Sequence, residues 1–503
     1  MSAPTEIPAE NDADIDTPEA ASGDTQVTQT ALIPAEYLYP FVLVTTLFAL
    51  WGFANNYTDP LVRAFKEIFL ISNFESSLVQ LAFYGGYGTM AIPAALVIRK
   101  YSFKTGIIVG LALYAIGALL TIPASLMMAF WLFLISFYIL TFGLAFLETA
   151  ANPYILSMGP EQSATRRLNF AQAFNPVGTL TGMFVASTLI LPYLDVAEFR
   201  NEYTTVEVAA EDGTTSRVLK PEFEGQLPSV VDGAVGSAME ELRENDPERF
   251  SAMQSHDLGV VRLPYVAIAA VVLGVMLMFV FSKMPDTGRS EAPISTGQLI
   301  KNLTTARYIG GVLAQGVYVG AQIMTWTFTI HYGMTLLGMS AAEAQNWNIL
   351  ANVIFLVSRF AWTFTLKYVN AGTLLACLAA AGAALSCGAV FVQGMAGMYC
   401  LVAVSACLGV MFPTIYGLAL DGLTVDDAKL GSAGLIVAIV GGALLPPLQG
   451  SIIDGGTVVV FGQTLEGVRA SYLLPAGCLA LVIFYGVFMA FQKPQAPATG
   501  EAA

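Results

Sequence analysis

The chain has 503 residues, 55% of them hydrophobic and only 12% charged, whereas a soluble domain carries roughly 25% charged residues. That composition excludes a soluble globular domain; no nucleic-acid partner is expected, and the net charge of −15 misleads if read over the whole chain. The acidity is local: residues 1–30 hold seven acids and no Lys or Arg, and residues 194–260 hold fifteen acids against five bases.

Residues 1–35 have no basic n-region of a signal peptide and are rich in Ala, Thr, Glu and Asp, so they are predicted as a disordered cytoplasmic tail. Apolar runs of about twenty residues, each long enough to cross a bilayer as a helix, then recur to the end of the chain. They define twelve spans at 38–66, 76–98, 105–124, 128–157, 166–193, 262–284, 306–333, 343–366, 371–391, 396–420, 430–454 and 469–491. The predicted fold is an all-α membrane protein with twelve transmembrane helices in two six-helix halves, residues 36–284 and 306–492. A cytoplasmic linker at 285–305 joins them, and a second tail occupies 493–503.

The halves echo each other. "IPAALVIRKYSFKTG" leads from span two to span three, and "SRFAWTFTLKYVNAG" from span eight to span nine. Prolines are predicted to interrupt spans four and ten ("NPY", "FPT") and spans five and eleven ("NPVG", "PPLQG"), and paired interruptions in two halves point to a transporter's central site. The acidic segment at about 194–260 reads as an outside insertion. Its stretch "SAMEELRENDPERFSAMQ" predicts two short helices, the second capped by Asp246 with Pro247 in its first turn.

Lys and Arg set the orientation. With both termini cytoplasmic, the inside loops hold Arg99, Lys100, Lys104, Arg166, Arg167, Lys283, Arg289, Lys301, Arg307, Lys367, Lys429 and Lys493. The short outside loops hold Arg63, Lys66 and Arg469. The five cysteines form no CxxC pair and read as buried apolar side chains.

The polar residues inside the spans carry the functional signal. Asn55, Asn56 and Asp59 share a face of span one, Glu148 and Asn152 lie one turn apart in span four, and Asn169, Gln172 and Asn175 recur in span five. Span seven holds Gln315, Gln322, Thr325, Trp326 and Thr329, and span eight holds Asn348 and Asn352. An amide offers two donors and an acceptor, which suits vicinal sugar hydroxyls, and Trp51 and Trp326 could cover a sugar's C–H face. Such amides also serve as interhelical contacts. Asp59 could pair with Arg63. Glu148 has no basic residue within seven positions, and an acid that alternates between neutral and charged as water reaches it from either side is what proton coupling requires. Arg359, well inside span eight, reads as a helix–helix contact in preference to a substrate ligand.

The stretches "ANNYTD", "LETAANPY", "RLNFAQAFN", "GVLAQGVYVGAQ" and "FPTIYGLALDGL" resemble the fucose:proton symporter family of the major facilitator superfamily, over about residues 38–490. The resemblance implies that Glu148 and Asp59 are the family's two membrane carboxylates, implicated in proton coupling. It implies that Asn56, Gln172 and Asn175 line the central cavity, with Trp51 and Trp326 in the same region. Gln315, Gln322, Asn152 and Phe412 complete the expected substrate-binding set. Three departures from the family's fucose permease bear on the choice of sugar: Thr58 before Asp59, Phe412 in place of a tyrosine, and His331 in place of an arginine.

The expected function is import of a hexose or deoxyhexose, of L-fucose or glucose/galactose type, with a proton by alternating access. The protein would be a monomer in the bilayer of the bacterial inner membrane, without cofactor or metal. The alternatives are a sodium-coupled symporter, a facilitator of another sugar such as an N-acetylhexosamine, or a sugar sensor. An intramembrane enzyme would need chemistry that two histidines, no HExxH and no GxSxG do not supply, and no GxxxxGK[ST] loop points to ATP.

Overall fold

The computed structural model describes residues 32–209, 215–223, 226, 228–285, 301–339, 341–460 and 462–492. The side chains of residues 55–64, 73–74, 76–77, 80, 207–209, 215–216, 228–229, 232 and 341–342 lie outside that description. Among the described residues, eleven helical segments are long and apolar enough to cross a membrane.

The first half begins with α1 (Leu38–Phe69), α2 (Asn73–Lys100), α3 (Phe103–Leu126) and α4 (Phe130–Ser157). Span five follows in two pieces, α5 (Ala164–Gln172) and α6 (Asn175–Val185), extended by a π turn at Ala186–Ile190 and a 3-10 turn at Leu191–Tyr193. The second half holds α10 (Ala306–Leu337), α11 (Ala341–Thr365) and α12 (Ala371–Phe391). Span ten is split into α13 (Met395–Leu408) and α14 (Met411–Leu420), and span eleven into α15 (Val425–Val437) and α16 (Gly441–Asp454). A hairpin of β3 (Thr457–Val460) and β4 (Gln463–Glu466), the short α17 (Gly467–Ala470) and α18 (Leu473–Phe491) close the chain.

Helix α10 is the one expected span that does not reach the apolar threshold of the other eleven. It is 32 residues long, ample to cross, but Gln315, Gln322, Thr325, Thr329 and His331 lower its hydropathy. That is the expected composition of a helix whose polar face turns toward a central site and away from lipid.

Helix starts follow local chemistry. The Ser72 side chain accepts from the Glu75 N–H while Glu75 accepts from the Ser72 N–H, a reciprocal pair that closes the first turn of α2. Ser102, Asn370 and Thr424 cap α3, α12 and α15 in the same manner with one side-chain oxygen each. Close packing relies on small residues: a Cβ at Gly143 would fall 2.4 Å from the Tyr114 nitrogen, and one at Gly178 would fall 1.9 Å from the Ala49 carbonyl. Glycine at these positions lets α4 approach α3 and α6 approach α1 backbone to backbone.

Three sequence expectations need correction. Pro446 and Pro447 of "PPLQG" do not interrupt span eleven, for α16 runs through both, and the break falls earlier, at the 3-10 turn Ala438–Val440. Pro153 does not interrupt span four, for α4 runs unbroken through it to Ser157. The second helix of the acidic segment is also not short. Asp246 caps it as expected, accepting from the Arg249 N–H at 3.0 Å, but the helix continues as α9 (Pro247–Phe281) and becomes span six itself. The segment is folded, with α7 (Asp195–Thr204), an antiparallel pair of β1 (Thr205–Ala209) and β2 (Thr215–Leu219), and α8 (Pro228–Asn245). The fully buried Asp257 of α9 accepts from the Asp195 and Val196 N–H groups at 2.6 and 3.0 Å and so caps α7. Arg200 of α7 pairs with Glu67 at 2.5 Å, and Gln254 donates to the Ile68 carbonyl at 2.9 Å, which ties the segment to the end of α1.

Candidate functional site

The polar residues of spans four and five form a connected chain. Glu148 on α4 is only 5% exposed. The Tyr87 hydroxyl of α2 lies against its carboxyl, and Tyr416 of α14 approaches from the other half. Among the described residues no Lys, Arg or His stands at ion-pair distance from it. One turn on, Asn152 donates to the Glu148 carbonyl at 2.9 Å and accepts from the Gln172 side chain at 2.7 Å. Gln172 is the last residue of α5, at the gap before α6. Asn169, a turn earlier, donates to Thr165 O at 2.9 Å and to Thr414 Oγ1 of the other half at 3.2 Å.

The remaining expected site residues fall into smaller groups. Asn175 donates to the Phe48 carbonyl of α1 at 3.2 Å, and the buried Trp51 ring packs on Phe48 with centroids 4.3 Å apart. Trp326 donates its indole N–H to Ser405 at 3.1 Å and meets Phe355 edge-on at 5.0 Å. Phe412 stacks on Tyr416 at 6.3 Å. Gln322 is half-buried. Gln315 is fully buried with neither amide atom hydrogen-bonded, an unmet pair of groups that costs about 1–3 kcal/mol each unless water or a ligand reaches them. The side chains of Asn56 and Asp59 lie outside the described residues.

Span ten is open at 409–410, and neighbouring side chains take the carbonyls around the gap. Trp362 Nε1 donates to Ala406 O at 2.7 Å, the Tyr318 hydroxyl to Leu408 O at 3.0 Å, and Arg359 Nε to Gly409 O. Arg359 also donates through Nη1 to Gln172 O of the first half at 2.7 Å and stacks over Phe355 at 4.8 Å. A Cβ at position 409 would fall 2.7 Å from Ser358 Oγ, so glycine there lets α11 come close enough for Arg359 to reach.

Hydrogen bonds that cross between the halves include Asn169 to Thr414, Arg359 to Gln172 O, Ser432 to Thr149 O at 3.1 Å, and, at the end bearing the 285–305 linker, the Gly422 N–H to the Glu161 carboxyl. At that end Lys429 lies 5.1 Å from the Phe103 ring centre while pairing with Asp426 at 2.8 Å. Asn302 holds Asp427 at 2.7 Å and Arg307 holds Asp421 at 2.6 Å. Burial pushes the Asp421 carboxyl above the usual range, against the pull of the Arg307 guanidinium.

Sequence reasoning did not find Tyr87, Tyr416, Ser432 or Thr414, because a tyrosine or hydroxyl in an apolar span looks like packing. Arg167 was read as a loop charge. It is fully buried, and its guanidinium donates to the carbonyls of Ile155, Leu156 and Pro160 and to Ser163 Oγ, closing the end of α4.

This arrangement, broken helices around a buried carboxyl and amides between two helical halves, defines a secondary transporter fold. The Major Facilitator Superfamily model matches residues 42–196. The chain is 46% identical over 457 residues to the L-fucose-proton symporter of Haemophilus influenzae, covering 90% of this chain and 97% of that one. It is 28% identical over 453 residues to a glucose/galactose transporter of Brucella abortus, covering 90% and 94%. Crystal structures of the Escherichia coli fucose:proton symporter, one of them in the outward conformation, match at a TM-score of 0.73 with 32% identity, covering 90% of this chain and 99% of that one. The chain belongs to the major facilitator superfamily, within its fucose:proton symporter family.

Proposed function

We propose that the protein imports a hexose or deoxyhexose together with a proton by alternating access, as a monomer in the bacterial inner membrane with both termini cytoplasmic. The observation that carries this reading is the Glu148 group. A carboxyl without a cationic partner among the described residues, with Tyr87 against it and Tyr416 approaching from the other half, stands one turn before the Asn152–Gln172 hydrogen-bond pair, amides of the kind that bind sugar hydroxyls. Asn152 donates to the Glu148 backbone carbonyl and accepts from Gln172, so the carboxyl and the amide pair stand one helical turn apart on the same span.

In this reading Glu148 binds and releases the proton, and Asp59 on α1 links that event to helix rearrangement. Asn56, Gln172, Asn175, Gln315 and Gln322 are the polar ligands of the sugar, and Trp51, Trp326 and Phe412 its apolar walls. The printed activities of the relatives, L-fucose–proton symport and glucose/galactose transport, support the substrate class and the coupling ion. The basic residues at the linker end support a cytoplasmic location for that end. The membrane potential would contribute ~2.3 kcal/mol per charge per 100 mV to accumulation.

Counterflow by the purified protein in proteoliposomes, against a panel of hexoses, deoxyhexoses and N-acetylhexosamines, tests the substrate class. L-Fucose or galactose is expected to exchange, and exchange confined to N-acetylhexosamines would move the substrate assignment. Uptake driven by a pH jump, with none from a sodium jump, is expected; the reverse would replace the proton by sodium.

A further inference from the structure

Proline has no N–H, so the carbonyl four residues before it loses its helical partner. Inside a bilayer that oxygen needs another donor. Pro153 releases Thr149 O, Pro176 releases Gln172 O, and Pro413 releases Gly409 O. All three oxygens are taken by side chains: Thr149 O by Ser432, Gln172 O by Arg359, and Gly409 O by the same Arg359. Two of these bonds cross from one half to the other.

We propose that the closure between the halves is a proline-built latch. Pro153 and Pro176 release the Thr149 and Gln172 carbonyls, and Ser432 and Arg359 of the opposite half hold them only while the linker side is closed. The proposal rests on the alternating-access reading. Arg359 is anchored in its own half by Gly409 O and the Phe355 ring, so its second nitrogen is held in position for Gln172 O. Ser432 is the weaker member, because its one hydroxyl proton is shared between Thr149 O at 3.1 Å and Lys429 O at 2.7 Å. All four groups are buried while the halves meet. When the halves part, water enters the widening cleft and satisfies the same carbonyls. The latch therefore favours the closed state without trapping it, since the net worth of a hydrogen bond exchanged for water is small.

The test separates holding a carbonyl from holding the two halves. Spin labels at Tyr101→Cys and Tyr368→Cys, both exposed and one on each half at the linker end, report its opening in a background lacking the native cysteines. Ser432→Ala removes the cross-half donor, and adding Pro153→Ala restores an N–H that pairs Thr149 O within its own helix. Pro176→Ala gives Gln172 O a competing N–H across the gap with Arg359 intact. Ser432→Ala with Pro153→Ala is expected to raise the open fraction roughly threefold, the shift of one neutral hydrogen bond, and Pro176→Ala about tenfold, the shift of a charge-assisted one. Both are expected to keep the wild-type melting temperature. A wild-type distance distribution in these stable variants overturns the latch, and so does loss of folding in both proline variants, which would make the prolines structural. The unmodified pair is the control: if its distances never change with sugar or pH, the alternating-access reading fails instead.

Discussion

Spans four and ten hold corresponding places in the two halves, and each carries a proline near the middle of the bundle, yet one helix is continuous and the other is broken. In α4 the proline releases a single carbonyl, Thr149 O, and Ser432 meets it; the helix keeps its course and holds Glu148 and Asn152 one turn apart. In span ten three carbonyls around the gap need partners, and Trp362, Tyr318 and Arg359 supply them from spans seven and eight. Proline alone therefore does not decide whether a membrane helix breaks. The donors available on neighbouring spans decide it. The continuous span carries the carboxyl, and the broken one exposes the carbonyls that the neighbouring spans hold.

The comparison breaks most readily at Arg359. Arg359→Ala leaves Gly409 O and Gln172 O without donors in the interior, and a loss of about 3 kcal/mol or more is expected in the unfolding midpoint in detergent. A near-wild-type midpoint would mean that water or another side chain fills both places. Trp362→Phe removes one neutral donor and keeps the ring, so about 1 kcal/mol is expected from the same measurement. A larger loss from Trp362→Phe than from Arg359→Ala would reverse the ranking of the three donors.

Pro153→Ala sharpens the contrast from the other side. Because α4 already follows a helical course through Pro153, the substitution is expected to leave stability within about 1 kcal/mol of wild type or to raise it. A severe loss would show that α4 needs the proline's shape. The smallest effect concerns the linker end. The folded state holds the Asp421 proton more tightly than the unfolded chain does, so stability falls as pH rises from the ordinary carboxylate range through the raised value. Asp421→Asn is expected to flatten that slope, and an unchanged slope would remove Asp421 from the pH response.

Much of the architecture was legible in the sequence because each span announces itself by length and hydropathy. Span seven at 306–333 was read with the others as an apolar run, and α10 occupies Ala306–Leu337. The acidic segment was not legible. Its hairpin and its merger into α9 depend on packing against α1 and on Asp257, a buried acid in a stretch that holds fifteen acids. At the site, the one-turn spacing of Glu148 and Asn152 was visible on one helix. The Gln172 partner was not, because it comes from another span across a tertiary contact. Pro153 was legible as a residue and misread as a break, since the donor that makes it harmless, Ser432, lies 283 residues away from Thr149 in sequence. Arg359 was read correctly as a helix contact, but its two carbonyl targets follow from the positions of two other prolines.

The most direct test of the account is the transport behaviour of Glu148→Gln in proteoliposomes, with uphill accumulation and sugar-for-sugar exchange measured on the same preparation. Glutamine keeps the shape and hydrogen bonding of the neutral acid but cannot ionise. The account predicts that proton-driven accumulation is abolished, that exchange survives at least in part because it needs no net proton release, and that sugar binding loses most of its pH dependence between about pH 5 and 8. If the Glu148→Gln protein still concentrates sugar in a proton-dependent manner, Glu148 is a polar packing residue and the central claim is contradicted.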